Sequence, residues 1–296
     1  MKLYRIINAT NFSKVTIYNL TNHVFLNHHF GVIFTLNKPS TSSSIRGPII
    51  LMYHGTPNDD PVSKYSIRAN LFNDHLQYLK KNNWNTILFK ELNNLSTYPE
   101  KTVVLTFDDG YADNFESAFL PLVKHNMKAT WFITTDSIGK HAHWMGTPTL
   151  QTQMLTAEQI INMKNAGMEI GSHTCSHPDL TKLNYQQQKN EMIRSKKILE
   201  SLISCKISSF AYPYGRQNND SIRAVKYSDY QLACTVNPGD FNSEKNPLLV
   251  KRITVFATDS VATMARKLAF AENDVGWKKM TGYYYQRVKD KLAGKL

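Results

Sequence analysis

From Ile49 onward the chain alternates short, β-prone apolar runs with longer stretches of helical period, and that alternation is what most limits the folds open to it. The runs are IILMYH, TVVLTF, KATWFIT, MEIGSH, SSFAYP, YQLACTV and LLVKRITV. Helical patterns lie between and after them, around residues 68 to 82, 112 to 126, 156 to 167, 184 to 203, 217 to 227 and 259 to 272. Such alternation is the signature of a parallel sheet or β/α barrel, because parallel neighbours need a crossover connection that a helix supplies. Two helix starts carry capping pairs, Thr156 with Gln159 and Asn184 with Gln187. With 296 residues, 42% of them hydrophobic, the chain is long enough for one barrel domain, which takes about 250 residues.

The first boundary is NKPSTSSSIRGP, residues 37 to 48, whose Ser, Thr, Pro and Gly content reads as a linker. It divides a segment, 1 to 45, with β-prone pieces suited to a hairpin or sheet edge from a main domain over 46 to 275. The remainder, 276 to 296, is basic and Tyr-rich and reads as a helix or tail. The formal charge of +12 comes from basic residues spread along the chain. A generally basic surface follows, compatible with peripheral membrane association, and no nucleic-acid site is expected. Cys175, Cys205 and Cys234 are odd in number and lack metal-ligand spacing, so no disulfide framework is expected. The N-terminal region shows neither a signal-peptide core nor a membrane-spanning run, which favours the cytoplasm over an extracytoplasmic place.

Reactive side chains collect at one end of the expected strands. The first run ends at His54, the second at Asp108 and Asp109, the fourth at His173 with His177 beyond it, and the fifth at Tyr212-Pro213-Tyr214-Gly215. Catalytic groups of a β/α barrel sit at the C-terminal strand ends, where the loops converge, so this bias argues for one shared site. If GSHTCSH takes one helical turn before Pro178, the imidazoles of His173 and His177 point the same way. Two imidazoles and one carboxylate make a three-ligand site with open positions, suited to catalytic Zn²⁺ and also to Fe²⁺ or Co²⁺.

TFDDGY, HTCSH and FAYPYG, in this order and spacing, resemble the polysaccharide deacetylase family, also called the NodB homology domain or carbohydrate esterase family 4. The resemblance covers residues 46 to 260 and implies a distorted (β/α)7 barrel that removes N- or O-acetyl groups from sugars with a divalent metal. Zn²⁺ is the first expectation, with Co²⁺, Ni²⁺ and Fe²⁺ as alternatives. The leading ILMYH resembles the subgroup that includes poly-β-1,6-N-acetylglucosamine deacetylases, in which one motif is permuted to the N-terminal side.

The resemblance implies Asp109, His173 and His177 as metal ligands, Asp108 as general base and the Tyr214 backbone N–H as a donor to the oxyanion. No His follows His177, so the general acid is assigned to His54, as in the permuted subgroup. Asp108 and Asp109 are adjacent, and on a strand their side chains would point to opposite faces, so the turn at Gly110 must bring both to one cavity. The Arg that often precedes the family's Pro-Tyr motif is missing. Arg252 is a candidate to replace it or to meet substrate, alongside Tyr212, Pro213 and Trp144, the last in a loop where it could stack on a sugar ring. His141 and His143 of that loop are expected to face solvent. The expected partner is an N-acetylated glycan. Other readings are an amidase acting on another C–N bond, a non-heme Fe²⁺ oxygenase and a non-catalytic glycan-binding module; the oxygenase has no need of Asp108 or His54, and the binding module should have lost a base, acid or ligand.

Overall fold

The computed structural model describes residues 47–93, 97–146, 148–276 and 281. The N-terminal segment 1 to 45 and nearly all of the C-terminal tail lie outside them, and with them the expectations of a hairpin and a basic helix. The described chain forms a parallel sheet of eight strands: β1 (Ile49–Tyr53), β2 (Asn85–Ile87), β3 (Thr102–Phe107), β4 (Thr130–Ile133), β5 (Glu169–Ser172), β6 (Ser209–Ala211), β7 (Leu232–Cys234) and β8 (Ile253–Thr254). The order across the sheet is β7-β6-β5-β4-β3-β1-β8, with β2 also paired to β3. The seven sequence runs all contain strands. The extra one, β2, has the sequence NTI, too short and too polar to stand out.

The crossover helices are α1 (Ala69–Lys81), α2 (Leu120–Lys124), α3 (Ala157–Asn165), α4 (Tyr185–Ile203), α5 (Asn219–Tyr227) and α6 (Val261–Phe270), where the sequence places them. Helix α2 is entered through a π-helical turn, Phe115–Phe119. Both expected capping boxes form, and Asn218 with Ser221 makes a third at the start of α5. Each satisfies backbone N–H groups that the first helical turn leaves without partners.

Strand alternation sorts the core into two layers. Ile49, Leu51 and Tyr53 of β1, with Val103, Leu105 and Phe107 of β3, join the large cluster that also holds residues of α1, α3 and α4. Ile50 and Val104 belong instead to an inner cluster with Phe132, Ala211, Leu232, Cys234 and Val250. All residues of β1 and β3 are buried because the sheet is covered on both faces. The sheet's edges approach each other through a single segment, in which Val250 bridges to Cys234 of β7 and Ile253 and Thr254 pair with Leu51 and Met52 of β1. Among the described residues no helix is long and apolar enough to cross a membrane.

Candidate metal centre

The alternation that sorts the core also explains the two acids. Residues 104, 106 and 108 share the inner face of β3 and its extension, so Asp108 projects inward. Arg252 meets it there with a bidentate clamp, Nη1 and Nη2 donating to the two carboxylate oxygens at 2.7 Å each. Its Nη1 also donates to Thr106 Oγ1 at 3.1 Å, and its Nε to the Thr235 carbonyl at 2.9 Å. Burial alone would raise the Asp108 pKa, but Arg252, helped by His173 and His54, holds it below the usual carboxylate range.

Continued as strand, the chain would aim Asp109 at the helix layer. It does not continue. Gly110 N–H donates to the Asp108 carbonyl at 2.9 Å, closing a three-residue turn with Asp109 at its centre and φ 73°. This is the rarer, strained sense of the γ-turn, and it swings Asp109 to the cavity that Asp108 already faces. Gly110 itself has φ 92°, and a Cβ there would lie 2.9 Å from Ile133 Cδ1.

His173 and His177 arrive differently from the sequence expectation. Residues 173 to 177 form no helical turn: Thr174 has φ 70° and His177 φ 56°. The loop is organised by Glu191 of α4, whose carboxylate accepts the N–H groups of Cys175 and Ser176 at 2.9 Å each and the Ser176 hydroxyl at 2.9 Å. Nothing in the sequence pattern marked Glu191. The His177 N–H donates to Thr174 Oγ1 at 3.0 Å. Non-glycine residues with positive φ elsewhere mostly end helices, whereas Asp109, Thr174, His177 and Tyr214 gather here. Such conformations cost roughly 1–3 kcal/mol each, a concentration of strain typical of functional sites.

The three ligand candidates converge. Asp109 Oδ1 lies 3.3 Å from His173 Nε2 and 3.2 Å from His177 Nε2. Neither ring N–H is aligned on it, so Oδ1 is a buried acceptor without a hydrogen-bond donor. A tetrahedral ion holding ligands at about 2.0–2.1 Å would space them about 3.3–3.4 Å apart, close to these separations. His173 Nδ1 pairs with the Ala211 carbonyl at 2.8 Å, which fixes the ring and leaves Nε2 for the cluster. Electrostatics favour a cation as well. Burial penalises the charge of Asp109, yet His177 and His173 hold its carboxyl well below the ordinary range. Because Arg252 already balances Asp108, Asp109 is the buried charge that a cation would neutralise.

His54 directly follows β1, half-buried, with Nδ1 lacking a hydrogen-bond partner. Burial lowers its pKa, and the nearby Asp109 and Asp108 oppose that only in part. Trp144 stacks on His177 with ring centroids 4.3 Å apart, and Tyr214 meets the same imidazole edge-on at 4.6 Å while remaining 51% exposed. His141 and His143 are exposed, as expected. Three substrate-contact expectations need correction. Arg252 is fully buried behind Asp108, so of its two sequence roles it takes that of carboxylate partner. Tyr212 is also fully buried, packed on Phe210, and Pro213 is buried beside it.

The described geometry has relatives. A family model described as polysaccharide deacetylase matches residues 95–233. The chain is 33% identical over 210 residues to the Bacillus subtilis protein YxkH, named as a polysaccharide deacetylase, with 70% of each chain covered. It is 25% identical over 244 residues to the poly-β-1,6-N-acetyl-D-glucosamine N-deacetylase of Staphylococcus epidermidis, covering 74% of this chain and 82% of that one. Among solved structures, the Streptococcus pyogenes deacetylase PplD, in complex with acetate, matches with a TM-score of 0.66 at 28% identity over 75% of this chain and 98% of that one. The shared fold is a distorted β/α barrel, as the sequence predicts.

Proposed function

Because the chain belongs to the polysaccharide deacetylase family, hydrolases of non-peptide carbon–nitrogen bonds, we propose that it is a metal-dependent enzyme removing acetyl groups from N-acetylated sugars of a polysaccharide or glycan precursor. One observation carries this reading: a carboxylate kept ionised by a buried arginine, Asp108, adjoins a convergent cluster, Asp109 with His173 and His177. A divalent ion held by that cluster would acidify a bound water and polarise the acetyl carbonyl. The mixed N/O donor set suits Zn²⁺ first, with Co²⁺, Ni²⁺ or Fe²⁺ as alternatives.

The protein's own groups divide the remaining work. Asp108 takes the proton of the attacking water, and the Arg252 fork keeps it from turning towards the cluster as a further ligand. Negative charge that develops on the acetyl oxygen is met by the Tyr214 N–H. The amine leaves only once protonated, and His54 supplies that proton. Trp144 and the exposed face of Tyr214 flank His177 and offer aromatic surface to a sugar ring. The name of the Staphylococcus epidermidis relative makes β-1,6-linked N-acetylglucosamine the first substrate to try.

The deciding measurement is acetate release from β-1,6- and β-1,4-linked N-acetylglucosamine oligomers and acetylated lipid-linked sugars, with and without chelator. Release from at least one that stops with chelator and returns with Zn²⁺, Co²⁺ or Ni²⁺ is expected. Chelator-sensitive release from none of them would transfer the site to another C–N substrate. His177→Ala is expected to bind substoichiometric metal. Removing the carboxylate that orders the ligand loop, in Glu191→Ala, should weaken metal affinity by about 10–100-fold, read by chelator competition.

A further inference from the structure

We propose that Tyr65 is a positioning residue for His54, holding the imidazole by tilted ring-on-ring packing where a histidine acid would otherwise be held by a hydrogen bond; this rests on the reading of His54 as the general acid. The main chain of His54 is fixed. Its carbonyl accepts from Asn114 Nδ2 at 2.9 Å, and Asn114, fully buried, also donates to Thr56 Oγ1 and accepts from Trp131 Nε1 at 3.1 Å each. The ring has no such tether, since Nδ1 is buried without a hydrogen-bond partner. What the ring does have is Tyr65, with centroids 5.3 Å apart and planes inclined by 31°.

A proton donor works only if its ring is aimed, and an imidazole without a hydrogen bond at Nδ1 can rotate about its side-chain bonds. Packing against the Tyr65 ring restricts that rotation. Tyr65 is 38% exposed but is not loose. Phe256 backs it at 5.9 Å, and the Ala257 N–H donates to the Lys64 carbonyl at 2.8 Å, tying the two loops together. Phe256 is in turn fixed by its N–H donating to Asp259 Oδ2 at 2.9 Å and by Lys267 Nζ, 4.5 Å from its ring centre. Lys267 and Asp259 form a buried ion pair, and Lys267 also donates to the Thr254 carbonyl at 2.7 Å. The row of tilted rings His54–Tyr65–Phe256 thus ends on a rigid anchor next to β8.

The test uses two substrates that differ in their need for an acid. An N-acetylglucosamine oligomer expels an amine and needs a proton, whereas 4-nitrophenyl acetate expels a stable phenoxide and does not. Tyr65→Ala is expected to lower kcat on the oligomer by about ten- to a hundredfold, with KM little changed and aryl acetate turnover retained. Tyr65→Phe should restore oligomer turnover, and Tyr65→Leu, with bulk but no ring, should not. His54→Ala should show the same loss on the oligomer alone. If His54→Ala is inactive on the oligomer while Tyr65→Ala matches the parent, the positioning role is wrong. It is equally wrong if Tyr65→Ala raises KM with kcat intact, the signature of a sugar platform, or loses both substrates together, the signature of a merely structural role. A His54→Ala variant that keeps oligomer turnover would overturn the assignment of the acid itself.

Discussion

Asp108→Asn is expected to cut acetate release by about 10²–10⁴-fold, the range of a lost general base, while leaving metal content at the parent level. The two effects separate because Asp108 is not one of the convergent atoms: both its oxygens are occupied by Arg252, and the cluster is built from Asp109, His173 and His177. An amide has lone pairs of lower basicity and cannot take a proton from water at neutral pH. Activity near the parent value would remove Asp108 from the role of base. Loss of metal together with activity would make it part of the metal site instead.

Arg252→Met carries the second large effect, on stability and on pH dependence together. The guanidinium is wholly buried and pairs with a buried carboxylate, and removing one member of such a pair costs about 3–5 kcal/mol because the other is left uncompensated. The double variant Asp108→Asn with Arg252→Met should recover part of that loss, giving a coupling energy in a double-mutant cycle. The pH sign follows from the Asp108 carboxyl. In the parent it lies below the ordinary range, so the ion pair adds stability at pH above the unfolded carboxylate value of about 3.9 and gives it up as pH falls towards the folded value. Without Arg252 the burial effect is opposed only by His173 and His54, and that pKa rises relative to the parent. The acid limb of kcat/KM should then move to higher pH, and the variant should lose less stability on acidification than the parent does. A limb that stays in place would detach Arg252 from the ionisation of the base.

Much of this is legible in the sequence itself. The order of the strands' reactive ends, His54, Asp108 with Asp109, His173 with His177 and Tyr214, is a property of the sequence because barrel loops converge whatever their internal structure. The routes by which side chains reach the centre were not readable. HTCSH suggested a helical turn, but two residues with positive φ and the carboxylate of Glu191 give a different loop with the same convergence. The clamp between Asp108 and Arg252 spans 144 positions, and a pair so distant leaves no periodic trace. Tyr65 is equally silent, since its packing on His54 is made by a loop whose course only the tertiary structure sets.

Arg252 has a further consequence through its address in the chain. It sits between Val250, bridged to β7, and Ile253, paired with β1, and so on the one segment that links the sheet's two edges. Asp108, Asp109, His173 and His177 themselves all lie earlier, before residue 180. Synthesis therefore delivers these four side chains ahead of the counter-charge that pairs with Asp108. Until that late segment docks, Asp108 lacks the guanidinium that does most to hold its carboxyl below the ordinary range. On the proposed mechanism, the ionised base would therefore depend on the last part of the sheet to be synthesised.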